Sequence, residues 1–377
     1  MNPRPVKRRR WLRYFFIFLL VAALLPSVVG LTRALWLCRV WGNIDEIESN
    51  IPDEKTRRIT SQIEEYARPE SQTYLTIPEW YIVYSADEYG AFIQNHSSSD
   101  FPYFKAVGQY WQSYDDVCEQ VRGKYPYNGN AQFVLGFIGV SFTAENMLKG
   151  LYEFTIGRVF DWFAKEPTEE EKFAADVAVE FGAFLHNTPW YLFPFDEKLK
   201  ELWTETSWWG PGALRKWERK IALTVEYGVK ALYGGITRAG SQAAYGGEDT
   251  AKIYAITMNA SDEMVSEDFE IIQTIDDTKQ LIYITRFEVF STIVPDLMKQ
   301  GLRFVEIAGN DEIIVTTLGK QDANYDFDYG EYLFDLPILT QAGETRAIIK
   351  VRVDALHLFL EELEDKTDIR FEHIYDY

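Results

Sequence analysis

The sequence predicts an α+β protein with an N-terminal transmembrane helix, a mainly helical domain and a C-terminal ferredoxin-like (split βαβ) antiparallel sheet domain. Three patterns carry this prediction: an uncharged apolar run near the N-terminus, helical spacing of apolar residues in the middle, and alternation of apolar and polar residues afterwards. We expect four parts: a basic tail with the anchor at 1–42, a stalk with short strand and helix segments at 43–99, the helical domain at 100–240 and the sheet domain at 251–377.

The anchor is predicted over residues 14–31, which read YFFIFLLVAALLPSVVGL. As a helix, these 18 residues span about 27 Å, close to the thickness of a bilayer's hydrocarbon core. Residues 1–42 hold eight Lys and Arg residues and no acidic one, so we expect a cytoplasmic N-terminus and an extracytoplasmic body. A cleavable signal peptide is the alternative, but its apolar segment is usually shorter.

Charge and cysteine content limit the partners and the compartment. The chain has a net charge of −20 although residues 1–42 carry +8, so the body carries −28 and should repel nucleic acid. Its only two cysteines are Cys38 and Cys118, and we do not expect them to be bonded to each other. So few cysteines in an exported chain favour the bacterial periplasm over a eukaryotic secretory lumen, and hence a bacterial inner-membrane location for the anchor.

Residues 43–99 are expected to form a stalk followed by short strand and helix segments. Apolar residues at near-helical spacing predict a helical stalk over 43–70, and the run at 74–77 suggests a strand. Ser85 and Glu88 have capping-box spacing, which predicts that a short helix begins there. These features make 43–99 a connecting region.

Helices are predicted for most of 100–240. Residues 131–163 should form a long helix, and its uncharged run is too short to cross a bilayer, which favours a buried core helix. Thr168 and Glu171 form a second capping box. A last helix over 213–233 carries an apolar stripe, and the six glycines within 228–247 predict a domain boundary.

Alternating patterns predict eight strands and two helices in the C-terminal part. The strands are expected at 252–258, 269–275, 280–287, 302–308, 312–318, 331–339, 345–353 and 368–375, and the helices at 288–300 and 354–365. Two strand–helix–strand units resemble each other here. Placed side by side, they are typical of a ferredoxin-like split βαβ sheet, an architecture that serves many functions.

No catalytic or metal motif is specific enough to define a reaction. The best metal candidate is a weak calcium loop in which acidic or amide groups alternate at Asp322, Asn324, Asp326 and Asp328. The loop departs from the calcium pattern at Phe327, where Gly is needed, and at Leu333, where a bidentate Glu is needed. We expect no cofactor, and an enzymatic activity is less favoured than a binding role.

Membrane-interface residues form the other candidate set. We expect the basic cluster and several tryptophans to meet the bilayer surface, namely Arg8, Arg9, Arg10, Trp36, Trp41, Trp208, Trp209 and Trp217. Helix 213–233 has a local excess of basic residues, so it could lie on the membrane. The favoured alternative is a core helix whose basic face pairs with the acidic body.

Three functional hypotheses follow. The first is a single-pass, membrane-anchored, non-enzymatic accessory, assembly or scaffold component of an envelope complex, with the membrane and other envelope proteins as partners. The second is an envelope ligand-binding protein or enzyme whose pocket lies between helical and sheet domains, lined by 78–84 and 190–195 with His186. The third is edge-to-edge pairing of the sheet with a copy or partner.

Overall fold

The computed structural model describes residues 7–39, 54–63, 66–164, 166–245 and 252–376. Its helices are α1 Lys7–Cys38, α2 Glu54–Thr60, α3 Ser71–Ile93, α4 Tyr103–Val121, α5 Gly129–Tyr152, α6 Arg158–Asp161, α7 Glu169–Leu185, α8 Phe195–Glu205, α9 Ala213–Tyr245, α10 Glu288–Lys299 and α11 Leu356–Glu364. One π turn, Glu153–Gly157, joins α5 to α6. The strands are β1 Lys252–Met258, β2 Phe269–Thr274, β3 Lys279–Thr285, β4 Arg303–Ile307, β5 Glu312–Lys320, β6 Gly330–Pro337, β7 Glu344–Arg352 and β8 Ile369–Ile374. The protein is therefore α+β.

The strands form two four-stranded antiparallel sheets, which we call sheet A and sheet B. Sheet A has the order β2-β3-β1-β4 and sheet B the order β6-β7-β5-β8. One hydrophobic core contains buried residues from both sheets and from α10 and α11, for example Ile282, Phe290, Val315 and Phe359. All eight predicted strands and both helices of this region are present, with bounds shifted by three residues at most.

Sheets A and B are built on the same plan. In sheet A, the first strand β1 lies between β3 and β4, which flank α10, and in sheet B, β5 lies between β7 and β8, which flank α11. A register shift interrupts the pairing of β1 with β4 at Ile256/Thr257 and that of β5 with β8 at Thr316/Thr317. The two strand–helix–strand units thus resemble each other as expected. They do not lie side by side in one sheet. Each unit forms a sheet of its own, in which the first strand pairs with both strands that flank the helix.

The helices stack in layers on the outer face of sheet B. Helix α3 lies along β5, since the Tyr74 hydroxyl donates to Glu312 (2.9 Å) and Arg346, opposite Leu318, donates to Glu88 (3.3 Å). Helix α4 runs antiparallel beside α3 and reaches the same sheet through Gln109, which donates to the Pro337 carbonyl (2.6 Å). Both helices belong to one core with residues of sheet B.

Helices α1, α5 and α9 form the next layer. Tyr110 of α4 donates to the Leu135 carbonyl of α5 (2.8 Å), and Gln132 of α5 contacts Cys38 at the end of α1 (3.1 Å). Helix α9 runs antiparallel to α5, as the Ser141–Tyr233 hydroxyl contact (3.2 Å) and the pairs further along show. The order of layers is therefore α1/α5/α9, then α3/α4, then sheet B, the shared core and sheet A.

A disulfide joins Cys38 to Cys118, which corrects our expectation that they would stay apart. They are 80 residues apart in sequence, but the packing of α1 against α4 brings their Cα atoms to 4.5 Å. Small residues on one side of α1, Ser27, Gly30 and Ala34, allow this close approach and are buried. The end of α1 is thus part of the folded body.

Two predictions for the region of α3 were wrong. The strand at 74–77 and the helix start at Ser85 are both inside α3, which begins at Ser71 and includes Pro78. Aromatic and β-branched residues suggested a strand, but burial of the helix on almost every side overrides that local preference. The glycine-rich boundary at 228–247 is also absent as far as Tyr245, because α9 continues through it; at Gly234 a side chain would meet the Tyr191 backbone at 3.3 Å.

Other local signals were confirmed. Thr168 caps α7: its hydroxyl accepts from the Glu171 N–H (3.3 Å), and the Glu171 carboxylate accepts from the Thr168 N–H (2.8 Å). The helical stalk predicted for 43–70 contains α2, while residues 40–53, 64 and 65 lie outside the described part. The capping box at Thr168 therefore located a helix start, whereas the same spacing at Ser85 and Glu88 lies inside α3.

Candidate functional site

Helix α9 turns its apolar residues outward and its charged residues inward. Every exposed residue of α9 between Leu214 and Ile236 is apolar or glycine: Leu214, Ile221, Val225, Val229, Leu232, Gly235 and Ile236. The basic residues Arg215, Lys216, Arg219 and Lys220 are buried on the opposite side. This is the reverse of a surface helix in a water-soluble protein.

The inward charges of α9 are all paired with acids. Arg215 contacts Asp161, Glu171 (2.7 Å) and Glu218 (2.8 Å), and Arg219 contacts Glu153 (2.6 Å). The pairing expected in the favoured alternative is thus confirmed, but α9 is not the core helix that this alternative assumed, because its apolar stripe is exposed. Because each partner is desolvated, loss of one charge would leave a costly unpaired group.

Helix α5 shares this inverted arrangement. Lys149 and Glu226 (2.9 Å) and Glu145 and Lys230 (2.7 Å) pair between α5 and α9. Large apolar residues are exposed on the outer side of α5, the π turn and α6, and on the two residues that follow α6. They are Phe133, Val134, Phe137, Leu148, Phe154, Ile156, Val159, Trp162 and Phe163. The prediction of a buried core helix is therefore wrong on this side, although Leu135, Gly139 and Phe142 are buried on the other.

Helix α1 completes the same face. Its described side chains include exposed Leu24, Leu25, Val28 and Val29, opposite the small residues that pack on α4 and α5. We name the exposed apolar residues of α1, α5, the π turn, α6 and α9 the apolar face. Among the described residues, one continuous helical segment, Gly129–Asp161, is long and apolar enough to cross a membrane; it consists of α5, the π turn and α6. In its most apolar stretch of 18 residues, 33% are buried. The part of α1 from Leu24 to Cys38 is a shorter apolar helix.

The predicted interface tryptophans lie near this face. Trp36 is exposed on α1, and Trp208 and Trp209 are exposed just before α9. Trp217 is half-buried and its ring lies 5.8 Å from that of Trp208 and 6.1 Å from that of Trp209. Residues Arg8, Arg9 and Arg10 are in the first turn of α1, but their side chains, and Trp41 as a whole, lie outside the described part.

A second candidate site lies where the helices meet the sheets. His186, at the end of α7, contacts Asp87 of α3 through Nε2 (2.6 Å) and Glu288 of α10 through Nδ1 (3.1 Å). Both carboxylates raise the pKa of His186 to about 10, with the Asp87 hydrogen bond as the largest cause. The histidine is therefore an imidazolium at neutral pH, and it links three segments of the chain.

Two buried groups lie behind this junction. His373 of β8 contacts the Ser291 hydroxyl of α10 (2.7 Å), and its ring centre is 3.7 Å from that of Trp80 in α3. Ser291 is 2% exposed and His373 is 1% exposed, so a substrate in solvent has no access to this Ser–His pair. The pair serves to orient β8 against α10 and α3.

The expected pocket lining is only partly assembled. His186 and Trp80 come together, with ring centres 6.0 Å apart. The segment 190–195 lies elsewhere, with Trp190 against Tyr233 and Phe193 against Phe181. Asp87, Glu288 and Ser291 were not identified from the sequence. Their separations from their partners are 82 to 102 residues, so no spacing rule reveals them.

The calcium candidates lie in the segment between β5 and β6. Asn324 accepts through its side chain from the Asp326 N–H (3.0 Å). The Lys366 ammonium donates to the carbonyls of Asn324 (3.2 Å) and Asp326 (2.7 Å), so a cation of the protein already binds this loop. Within the described residues there is no group of three or more His, Cys, Asp or Glu that could hold a metal ion.

Comparison with known proteins adds no relative. No protein-family model, no curated protein and no solved structure matches the chain. The arguments about function therefore rest on the apolar face and on the junction around His186.

Proposed function

We propose that this chain is a membrane-anchored, non-enzymatic accessory or scaffold component of an envelope complex, with its body on the extracytoplasmic side. The observation that carries the proposal is the apolar face, which a water-soluble monomer would not expose at this extent. Inward ion pairs on the same helices give the face a defined structure rather than a loosely packed one.

The compartment and orientation are part of this proposal. The basic residues of 1–42 favour a cytoplasmic N-terminus. The Cys38–Cys118 disulfide supports an oxidising compartment for the body, such as a bacterial periplasm. We also propose that each sheet is a variant of the ferredoxin-like plan, supported by the split βαβ arrangement around β1 and around β5.

The test is affinity purification of the full-length protein in mild detergent, with partners identified by mass spectrometry and rebound to the purified chain. Removing residues 1–42 would also remove buried Ser27, Ala34 and Cys38, so a surface variant is the better probe. Val28→Asn with Val29→Asn changes two side chains that are each 58% exposed on α1. Val265→Asn with Ile272→Asn makes the matched change on the sheet side.

We expect stoichiometric partners with the wild type and with the sheet-side variant. If the α1 variant loses them together with membrane retention, the contact is in or at the bilayer. If no partner copurifies with the wild type under any mild detergent, the accessory role is wrong.

A ligand-binding role at the junction is the second candidate, because Asp87, His186 and Glu288 are three charged and partly exposed side chains where three chain segments meet. A thermal-shift panel of lipids, sugars and peptides tests it. A ligand whose stabilisation is lost in Asp87→Asn and kept in the distant Asp354→Asn would support this role, and unchanged melting across the panel would oppose it.

A further inference from the structure

The apolar face lies on the opposite side of the molecule from the sheets. Helix α5 contacts α4 through Leu135 and Tyr110, and α4 contacts sheet B through Gln109. The exposed stripe of α9 and the outer side of α5 point away from this stack. A flat surface could therefore meet the whole face without touching either sheet.

Sheet B lies beside the helices and not beyond their ends. Tyr74 and Glu88, about 21 Å apart along α3, contact Glu312 and Arg346 of sheet B. Tyr74 is also next to Tyr125, and α4 extends from there along α1 to the Gly30–Trp111 contact. If this part of α5 crossed a bilayer, the polar edges of sheet B would be drawn into the hydrocarbon, where unpaired backbone groups are too costly.

The composition of the face identifies lipid as its partner. The exposed positions of α9 from Leu214 to Ile236 carry no charge, in a chain whose net charge is −20. Trp162, Trp208 and Trp209 are exposed near one end of the face, and Trp36 near the other. Tryptophan prefers the boundary between headgroups and acyl chains, and the face is continuous with the anchor helix α1.

We infer that α5, α6 and α9 lie in the plane of the bilayer, with the apolar face inserted into one leaflet and the two sheets held on the water side. This inference rests on the proposed membrane attachment and not on the proposed orientation of the chain. Leu24, Leu25, Val28 and Val29 of α1 belong to the apolar face, and α1 packs on α5 through Leu31 and Cys38, so this part of α1 also lies in the plane and does not cross the bilayer. Helices that lie in the interface bury their apolar side about 5–10 Å deep, so side chains all along the face should reach similar depths.

The experiment uses the full-length protein in phosphatidylcholine vesicles, with a nitroxide label on a single added cysteine. The labelled positions are Ile221→Cys, Val229→Cys and Ile236→Cys on α9 and Phe154→Cys on the π turn, with Ile272→Cys on β2 as the control. Depth is measured from collisions with oxygen, which enriches in lipid, and with a water-soluble nickel complex. Ile221 and Ile236 are about 22 Å apart along the helix.

Similar, shallow depths at the four face positions, with Ile272→Cys in water, are the expected result. Depths that differ by about 20 Å between Ile221→Cys and Ile236→Cys would overturn the inference in favour of spanning helices. Protection from both reagents would overturn it in favour of a second copy or a protein partner. Four labels in water would also overturn it.

Vesicle flotation separates this failure from failure of the proposed function. If the protein floats with the vesicles while the labels on α9 are in water, attachment through α1 stands and only the in-plane geometry is wrong. If the unlabelled protein does not float, membrane attachment itself is wrong.

Discussion

The guanidinium of Arg346 lies 3.7 Å from the centre of the Tyr84 ring, and this contact joins β7 to α3. The same guanidinium donates to Glu372 (2.7 and 2.9 Å) and to Glu88 (3.3 Å). Arg346 is 5% exposed, so its charge depends on these partners. Arg346 therefore links sheet B to α3 through Glu88 and the Tyr84 ring.

We expect Arg346→Met to lower the free energy of unfolding by about 3–5 kcal/mol, because Glu88 and Glu372 would remain buried without their cation. The measurement is the urea midpoint in mild detergent. Arg370→Met is the control, since the Arg370 side chain is 59% exposed and its pair with Glu344 is 3.8 Å long. Equal midpoints for the two variants would contradict the role of Arg346.

The junction around His186 predicts a pH dependence. The folded state holds a proton on His186 up to a pKa of about 10, whereas an unfolded histidine loses it near pH 6.5. Its stabilising contribution is therefore complete below about pH 6.5 and is lost as the pH rises towards 10. Because Asp87 and Glu288 are partly exposed, we expect a loss of about 1–2 kcal/mol.

Urea unfolding at pH 6, 8 and 10 measures this loss. His186→Gln should remove most of the decline over that range, while His96→Gln, on an exposed residue, should leave it unchanged. A wild-type decline that persists in full in His186→Gln would show that another group is responsible.

The disulfide predicts a large effect of reduction. Cys38 and Cys118 close a loop of about 80 residues, for which the chain-entropy model gives about 4 kcal/mol. We expect Cys38→Ser with Cys118→Ser to melt at a lower temperature and to be insensitive to reductant. Free thiols titrated in the denatured, unreduced wild type would contradict the bond.

Close packing of α5 on α4 predicts a glycine requirement. A Cβ at Gly139 would overlap the Tyr110 ring and lie 2.9 Å from the Trp111 ring. We expect Gly139→Ala to destabilise by about 1–3 kcal/mol, because neither buried ring has room to move.

Gly235→Ala is the matched control in α9, where the added methyl meets nothing within 4 Å. Helix propensity alone should make that change neutral or stabilising by up to about 1 kcal/mol. Thermal melting of both variants tests the difference. Similar destabilisation by the two substitutions would show that backbone effects, and not the aromatic rings, explain the glycine.

Local patterns predicted the elements but not their packing. The patterns around Ile282 and Ile349 identified strands, although β7 is buried on both faces, with Ile349 in the core between the sheets and Ile348 in the core shared with the helices. Thr168 identified a helix start because a cap depends on four consecutive residues. Which strands share a sheet depends on contacts between distant residues. Alternation carries no information about them, so the two-sheet arrangement was missed.

The two candidate sites were hidden from the sequence for different reasons. The stripe of α9 was recognised, but its direction was not, because the same spacing describes a buried and an exposed side. The direction is set by acids such as Glu153 and Glu171, which pair with Arg219 and Arg215 from other segments. The partners of His186 could be found only from the fold, since they are about 100 residues away.

The Cys38–Cys118 bond also determines how mechanical load would pass through the molecule. A pull on α1 would reach α4 through a covalent bond and not only through the chain that follows residue 39. From α4 the load would continue through Gln109 to the end of β6. Tension applied at α1 and tension applied at sheet B would therefore meet at α4, and reducing one bond would remove the covalent part of that connection.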